Sequence, residues 1–226
     1  KVVATSRRPE QIREIFSKYP DHEKWKGRLF PYGVDLDVNC LEQTFTDMKG
    51  WIMSNVGPTL DILVNCAAQT IKARDKPDPE APQHPMENRY GDPKFVHSVS
   101  KNSWDMRTLD MEQTEMEEVY RINSVAPVLL VKTLHPLMVA SGGTPFIINV
   151  HAREGIFQTR KRDIHLHTNR AKAALAMSTK CIARAGFKTR RGMAFSVHGC
   201  DPGWISQDEY HENSKPWPVP PLDEVD

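Results

Sequence analysis

Apolar residues along this chain form two kinds of pattern. Short continuous runs are typical of buried strands, whereas apolar positions spaced three and four apart are typical of helices. The continuous runs predict strands at residues 2–6, 29–36, 60–65, 145–150 and 193–197, and the spaced pattern predicts helices at 10–18, 40–54, 115–138 and 167–185. Strands and helices alternate, which indicates right-handed crossovers and a parallel sheet. We therefore predict one α/β domain over residues 1–226, a Rossmann-type doubly wound parallel sheet with helices on both faces.

Residues 69–114 break this alternation. Five prolines fall between Pro77 and Pro93, and the apolar periodicity disappears there. The segment also contains Asn102-Ser103-Trp104. We predict a long Pro-rich insertion, a feature that is commonly functional in such domains.

Prolines mark two further places. Pro127 lies inside the predicted helix 115–138, so we expect a kink or local bulge there. Residues 215–226 hold four prolines and are interpreted as a loop. The chain begins directly with a strand pattern, so we expect a segment upstream of Lys1.

Composition excludes several classes of function. The 226 residues are 39% hydrophobic, enough for a real core. The net charge of +1 gives no global attraction to nucleic acid or to an anionic membrane. The short basic clusters at 160–162 and 188–191 are interpreted as solvated surface. No run of about 18 apolar residues occurs, so we expect no membrane span.

Cysteine and histidine positions indicate neither disulfides nor a metal. The four cysteines show no CxxC or other metal spacing, so we expect an intracellular, reducing compartment, either cytoplasm or an organelle matrix. Cys66 is interpreted as a packing residue. His151, His165 and His167 could form a metal triad, but the supporting carboxylates are not evident, and no metal is predicted.

Six short motifs lie near the ends of the predicted elements. They are VDLD (34–37), VNCAAQ (64–69), INSVAP (122–127), INVHAREG (148–155), HTNRAKAAL (167–175) and DPGW (201–204). Each motif is weak alone, but together they resemble, in the same order, the motifs of the short-chain dehydrogenase/reductase (SDR) family. The Asn-Ser-Trp segment and the His-Thr-Asn helix resemble a subgroup with threonine at the position of the family's tyrosine.

The resemblance implies an oxidoreductase that transfers hydride between NAD(P) and a small-molecule substrate. The implied cofactor-binding residues are Arg7, Asp35, Asn65, Lys172, Pro202 and Gly203, and the implied or candidate catalytic residues are Lys172, Asn123, Thr168 and His151. Asp35 would lie near the adenine, Lys172 would bind the nicotinamide ribose, and Asn123 would bulge the fourth helix and hold a proton-relay water.

The two arginines after the first strand bear on the choice of cofactor. In the family, a basic residue at this point meets the 2′-phosphate of NADP, whereas an acidic residue binds the ribose of NAD. Arg7 and Arg8 stand here and no acid does, so NADP is favoured over NAD. The Gly-rich pyrophosphate turn belongs on a preceding βα unit. We expect the chain to lack that first unit and the last strand of the fold.

Two positions depart from the family pattern. Thr168 stands where the family has its proton-transferring tyrosine, and Ala152 stands where it has serine. A threonine hydroxyl is a far weaker acid than a phenol, and losing a general acid typically costs about 10²–10⁴-fold in rate. His151 is the candidate replacement, since histidine titrates near neutral pH.

Three functions remain open from the sequence. The first is an NAD(P)-dependent oxidoreductase with an atypical active site. The second is a catalytically inactive Rossmann module that serves as a structural or assembly subunit of a larger complex. The third is a nucleotide sensor that binds the cofactor without turnover. In the family the helices 115–138 and 167–185 form the dimer face, so we expect a homo-oligomer or a subunit of a complex.

Overall fold

This computed structural model describes residues 1–69 and 106–203. Most of the predicted Pro-rich insertion, including Asn102-Ser103-Trp104, and the predicted loop at 215–226 lie outside the described residues. Within the described ranges, parallel strands alternate with helices in the predicted order. The predicted α/β fold class is therefore confirmed.

Residues 1–55 form two strands and two α-helices. Strand β1 (Val2–Ser6) is followed by helix α1 (Pro9–Ser17), strand β2 (Leu29–Gly33) and helix α2 (Leu41–Asn55). β1 and β2 are parallel and pair from Val2 with Leu29 to Ser6 with Gly33. β2 ends three residues before the predicted end at residue 36, because no strand residue of β1 remains to pair beyond Gly33.

The long helix predicted at 115–138 is present and contains the expected bulge. Helix α3 (Gln113–Tyr120) runs into a π-helical turn (Arg121–Val125) and then into helix α4 (Ala126–Val139). Pro127 has no N–H, so the carbonyl of Asn123 four residues earlier receives no α-helical hydrogen bond from it. The helix widens at this point, as π turns do at functional positions.

The stretch Gln113–Val139 is long and apolar enough to cross a membrane by length and composition alone. Half of its most apolar window is buried inside the protein, as in the core helix of a soluble domain. Its α4 part packs on α2. The stretch is therefore only weak evidence for a membrane span.

Three parallel strands complete the described structure. Strand β3 (Ile62–Asn65) pairs with β4 (Phe146–Val150), and β4 pairs with β5 (Ser196–Cys200). Helix α5 (Leu166–Arg184) connects β4 to β5.

The prediction of the fifth strand at 193–197 was wrong by three residues. Met193 accepts a hydrogen bond from the Thr189 N–H at 2.8 Å, and Phe195 donates to the Phe187 carbonyl at 3.1 Å. The Met193 carbonyl and the Phe195 N–H, which belong to the start of the predicted strand, are therefore used in this antiparallel turn. The ladder with β4 therefore starts only at Ser196.

The strands form two sheets, in the orders β1-β2 and β3-β4-β5. Both sheets rest on one hydrophobic cluster built from α2 and α4, which Val3 of β1, Tyr32 of β2 and Leu63 of β3 all touch. In a doubly wound sheet the first strand lies at the centre. Within residues 1–69 and 106–203, no ladder joins β1 to β3, so the sheet is interrupted between these strands.

Candidate active site

Lys172 lies at the carboxyl end of β4, where ligands bind in open α/β sheets. Its side chain projects from the second turn of α5, is only 5% exposed, and donates from Nζ to the Val150 carbonyl at 2.7 Å. Burial lowers the pKa of Lys172, and the charges of Cys66, Glu154 and Asp201 partly oppose that shift. An amine is thus held in a fixed position beside acidic groups at the end of the sheet.

Gly155 brings the loop after β4 directly onto α5. A Cβ at this position would lie 2.6 Å from the Lys172 carbonyl carbon and 2.8 Å from its oxygen. These are backbone atoms, which cannot move aside as a flexible side chain could. The close approach therefore needs glycine and helps to set the position of Lys172.

Asn123 joins the π turn to the chain that follows β3. Its side chain is 1% exposed; Nδ2 donates to the Gln69 carbonyl, and Oδ1 accepts from the Gln69 N–H, both at 2.7 Å. A second contact supports this clamp, since Gln69 Nε2 donates to Glu118 Oε1 at 2.8 Å. The predicted bulge residue is thus a rigid brace. Sequence reasoning missed its partner, because nothing in the pattern singles out Gln69.

Below Lys172 lies a set of polar side chains that we call the amide ladder: Asn65, Asn149, Thr179 and His151. Asn65 Nδ2 donates to Asn149 Oδ1 at 2.7 Å, and Asn149 Nδ2 donates to Thr179 Oγ1 at 2.9 Å. His151 Nε2 lies 3.0 Å from the same hydroxyl. The ladder ties β3 and β4 to α5. Sequence reasoning missed Asn149 and Thr179, although both fall on core-facing positions of their elements.

Hydrogen bonding around Thr179 assigns the tautomer of His151. Thr179 Oγ1 gives its single proton to the Leu175 carbonyl at 2.8 Å, so its lone pairs accept from Asn149 and from an Nε2–H of His151. Burial, followed by the nearby Lys172 charge, lowers the pKa of His151, while Asp201 opposes the shift. The ring lies against Gly199, where a Cβ would come within 2.6 Å of Nδ1. His151 is therefore a neutral, oriented member of the ladder, and its catalytic role stays a prediction.

Thr168 is 2% exposed, and its Oγ1 has no hydrogen-bond partner among residues 1–69 and 106–203. The family pattern also has a serine in the loop after β4. Here that position is Ala152, which has no hydroxyl. The structure thus places the threonine inside the protein rather than at a solvent-accessible surface. Whether Thr168 takes part in the chemistry stays a prediction.

Arg7 and Asp35 lie on the other sheet, after β1 and β2. Arg7 is exposed and forms no ion pair with any part of the chain that the structure describes. It borders a surface pocket that Ser6, Gln11 and Phe16 also line. Asp35 accepts a hydrogen bond from the Asp37 N–H at 2.9 Å, which fixes the turn after β2. These two predicted residues are therefore exposed, separate from the Lys172 group.

Pro202 and Gly203 form the predicted sharp turn after β5. Asp201 Oδ1 accepts from the Gly203 N–H at 3.0 Å, and Gly203 has a φ of +72°, a conformation that glycine adopts without strain. His167, at the start of α5, is 1% exposed. Among the described residues, no group of three or more His, Cys, Asp or Glu side chains could hold a metal.

Comparison with known proteins gives a sequence relative and many structural ones. The uncharacterized protein R665 of Acanthamoeba polyphaga mimivirus is 30% identical over 261 residues. That match takes in the whole of this chain but 55% of the viral protein, so the chain spans about half the length of the curated relative it matches. No family model matches the chain.

The similar solved structures are short-chain dehydrogenases and carbonyl reductases. A short-chain dehydrogenase from Streptomyces avermitilis superposes with a TM-score of 0.62 at 16% identity, covering 92% of this chain and 58% of its own. A short-chain type dehydrogenase/reductase from Mycobacterium marinum gives 0.63 at 16%, covering 94% and 67%. NADPH-bound carbonyl reductase from chicken fatty liver gives 0.59 at 20%, covering 92% and 69%. The chain has the fold of the short-chain dehydrogenase/reductases.

Proposed function

We propose that this chain is part of an SDR-family oxidoreductase that uses NADP, with an active site that has lost the family's tyrosine. The observation that carries the proposal is the way in which the Lys172 side chain is held. A buried amine is held by the Val150 carbonyl at the carboxyl end of β4, beside a π turn that Asn123 braces. Four of the similar solved structures are complexes with NADP or NADPH, which supports a dinucleotide here.

The residues present fit such a cofactor at two points. Lys172 Nζ has donors beyond the one that it gives to Val150, and these can reach ribose hydroxyls. Arg7 is an exposed guanidinium without an ion pair among the described residues, which suits a phosphate. When bound, NADPH would supply the hydride. The protein's own part is to orient the cofactor and to exclude water.

Proton transfer needs a group other than Thr168. Its hydroxyl is buried, and a threonine hydroxyl does not ionise at physiological pH. His151 stays our candidate, because it is oriented by Thr179 and lies within electrostatic range of Lys172. Because the proposed reaction is hydride transfer, the substrate is a carbonyl compound or an alcohol.

The cofactor choice is tested by Arg7→Ala in the complete natural polypeptide. We expect NADPH to bind about tenfold more weakly, as for a lost charged hydrogen bond, and NADH affinity to change little. Arg13→Ala, on an exposed turn of the neighbouring α1, is the matched control and should change neither affinity. Equal loss for both cofactors would contradict the phosphate role of Arg7.

The reaction itself is tested by following NADPH oxidation with a panel of aldehydes and ketones. Turnover by the wild type that disappears in Lys172→Met supports the oxidoreductase. Binding of NADPH with no turnover on any probe would favour a sensor. Absence of both would favour the structural subunit.

We also propose that the protein is intracellular and forms a homo-oligomer. All four cysteines are free and exposed, Cys66 included, so the interpretation of Cys66 as a packing residue was wrong. Four free thiols support a reducing, intracellular compartment. A homo-oligomer through α4 and α5 is also proposed. Tyr120, Val128 and Met177 are exposed apolar side chains on these helices and on α3 before them. Light scattering of the natural polypeptide would test it.

A further inference from the structure

An ion pair connects the turn after β2 with the π turn. Arg121, the first residue of the π turn, donates from Nη1 to Asp37 Oδ1 at 2.5 Å. The two residues are 84 positions apart along the chain, and their side chains are 30% and 38% exposed. The contact is therefore a partly buried link between two elements that are remote in sequence.

On one side of this link, hydrogen bonds fix the turn after β2. The Asp37 N–H donates to Asp35 Oδ1 at 2.9 Å. The Val34 N–H donates to the Ser6 carbonyl at 3.0 Å, which places the turn directly beside the loop that carries Arg7. A ligand that contacts Arg7 or Asp35 therefore acts on the same short turn that is paired with the π turn.

On the other side of the link, the π turn holds the chain that follows β3. Asn123, two residues beyond Arg121, contacts both backbone polar groups of Gln69 at 2.7 Å. Val125, at the end of the π turn, packs on the α2–α4 cluster, and Leu36 of the turn after β2 packs on the same cluster. A displacement of Arg121 therefore also displaces Asn123, and with it the contact to Gln69.

We propose that Arg121 is a positioning residue that couples the two ends of the candidate site. Through Asp37 it makes the position of Asn123 depend on the turn after β2, so a ligand at that turn strengthens the hold on Gln69. A charged hydrogen bond between arginine and a carboxylate suits this role, because it fixes direction as well as distance. The inference rests on the proposed function for the identity of the ligand, NADP, but the link itself is present without a ligand.

A second ion pair provides a matched control. Lys132 Nζ of α4 and Glu42 Oε1 of α2 lie 2.6 Å apart, and their side chains are 69% and 64% exposed. Water screens such exposed charges, so the pair contributes little to stability. Neither residue belongs to the turn after β2 or to the π turn. Removing this pair therefore tests whether any ion pair between these parts of the chain would have the same effect.

Hydrogen exchange of the Gln69 amide in the complete natural polypeptide tests the link without ligand or turnover. We expect Arg121→Met and Asp37→Ala each to speed this exchange about fivefold, the size of a partly exposed ion pair. The double variant should exchange no faster than either single variant, because both remove one link. Exchange of β4 amides should stay unchanged, and Lys132→Met should leave Gln69 unchanged. Wild-type exchange in Arg121→Met, additive effects in the double variant, or an equal rise in Lys132→Met would overturn the proposal.

A ligand experiment separates failure of this inference from failure of the proposed function. Adenosine 2′,5′-bisphosphate is the adenylate end of NADP and lacks the nicotinamide ribose that is expected at Lys172. Its binding should slow Gln69 exchange about fivefold in the wild type, as for a weak coupling between sites, and not in Arg121→Met. A wild type that binds it without this response, or a response that persists in Arg121→Met, would overturn the coupling. If neither NADPH nor the bisphosphate binds, the proposed function fails, while Gln69 exchange in the free protein still decides the role of Arg121.

Discussion

The two sheets differ in how their candidate functional residues are held. At the carboxyl ends of β3 and β4, Lys172, Asn123 and the amide ladder are hydrogen-bonded to one another or to backbone, and all of them except the half-buried His151 are buried. At the ends of β1 and β2, Arg7 and Asp35 are exposed. A buried network is costly to change, because each member leaves another unsatisfied. The candidate residues of the three-stranded half are held by hydrogen bonds within the protein, whereas Arg7 and Asp35 face solvent.

The largest expected effect comes from Gly155→Ala. The new Cβ would meet the Lys172 backbone at 2.6 Å, so the loop after β4 or α5 must shift. We expect the free energy of unfolding to fall by about 3 kcal/mol, as for severe overpacking, measured by urea denaturation. Gly50→Ala is the control. Gly50 lies in α2 with nothing within 4 Å, so alanine there should stabilise by about 0.5–1 kcal/mol. If both variants change the free energy of unfolding by the same amount, the close approach of Gly155 to α5 does not set the position of Lys172.

A smaller decrease in the free energy of unfolding is expected from Thr179→Val. The change keeps the shape but removes the hydroxyl that accepts from Asn149 and His151, leaving buried donors without partners. We expect a destabilisation of about 2 kcal/mol in the same assay. Thr46→Val removes an exposed hydroxyl that bonds only to its own helix and should change little. If Thr179→Val leaves the free energy of unfolding unchanged, the amide ladder does not hold β4 to α5.

Thr168→Val should act in the opposite direction. The hydroxyl is buried and has no partner within the described part of the chain, so its removal should raise the free energy of unfolding by about 1 kcal/mol. Any NADPH turnover should be unchanged. Loss of turnover in a stable Thr168→Val protein would show that the threonine takes part in the chemistry.

The smallest effect concerns pH. Burial holds the pKa of His151 below its ordinary 6.5 in the folded protein, so below that pH the unfolded chain binds a proton more readily. The free energy of unfolding should therefore decline as the pH falls from about 6.5 toward the folded pKa, by at most about 1.4 kcal/mol per pH unit for one proton. His151→Gln keeps a donor for Thr179 and should remove this part of the slope. An unchanged slope would contradict a neutral, half-buried imidazole.

Sequence patterns predicted this fold better than they predicted the site. Continuous apolar runs and Pro127 reflect local geometry, so β1, β4 and the π turn followed from them. The fifth strand was misplaced because the turn at Thr189 and Met193 competes for the same backbone groups. Thr179 and Gln69 were missed because their partners lie 30 and 54 residues away along the chain. Such pairings depend on packing, which a single sequence does not display.

The central claim is that Lys172 occupies a preformed site for a nicotinamide dinucleotide. It is tested most directly by titrating NADPH into the complete natural polypeptide and following nucleotide fluorescence, with Lys172→Met and Lys180→Met compared. Lys180 is an exposed lysine two turns further along α5 and serves as the control. We predict that the wild type and Lys180→Met bind NADPH alike and that Lys172→Met binds at least tenfold more weakly. Absence of binding by the wild type, or equal binding by all three proteins, would contradict the claim.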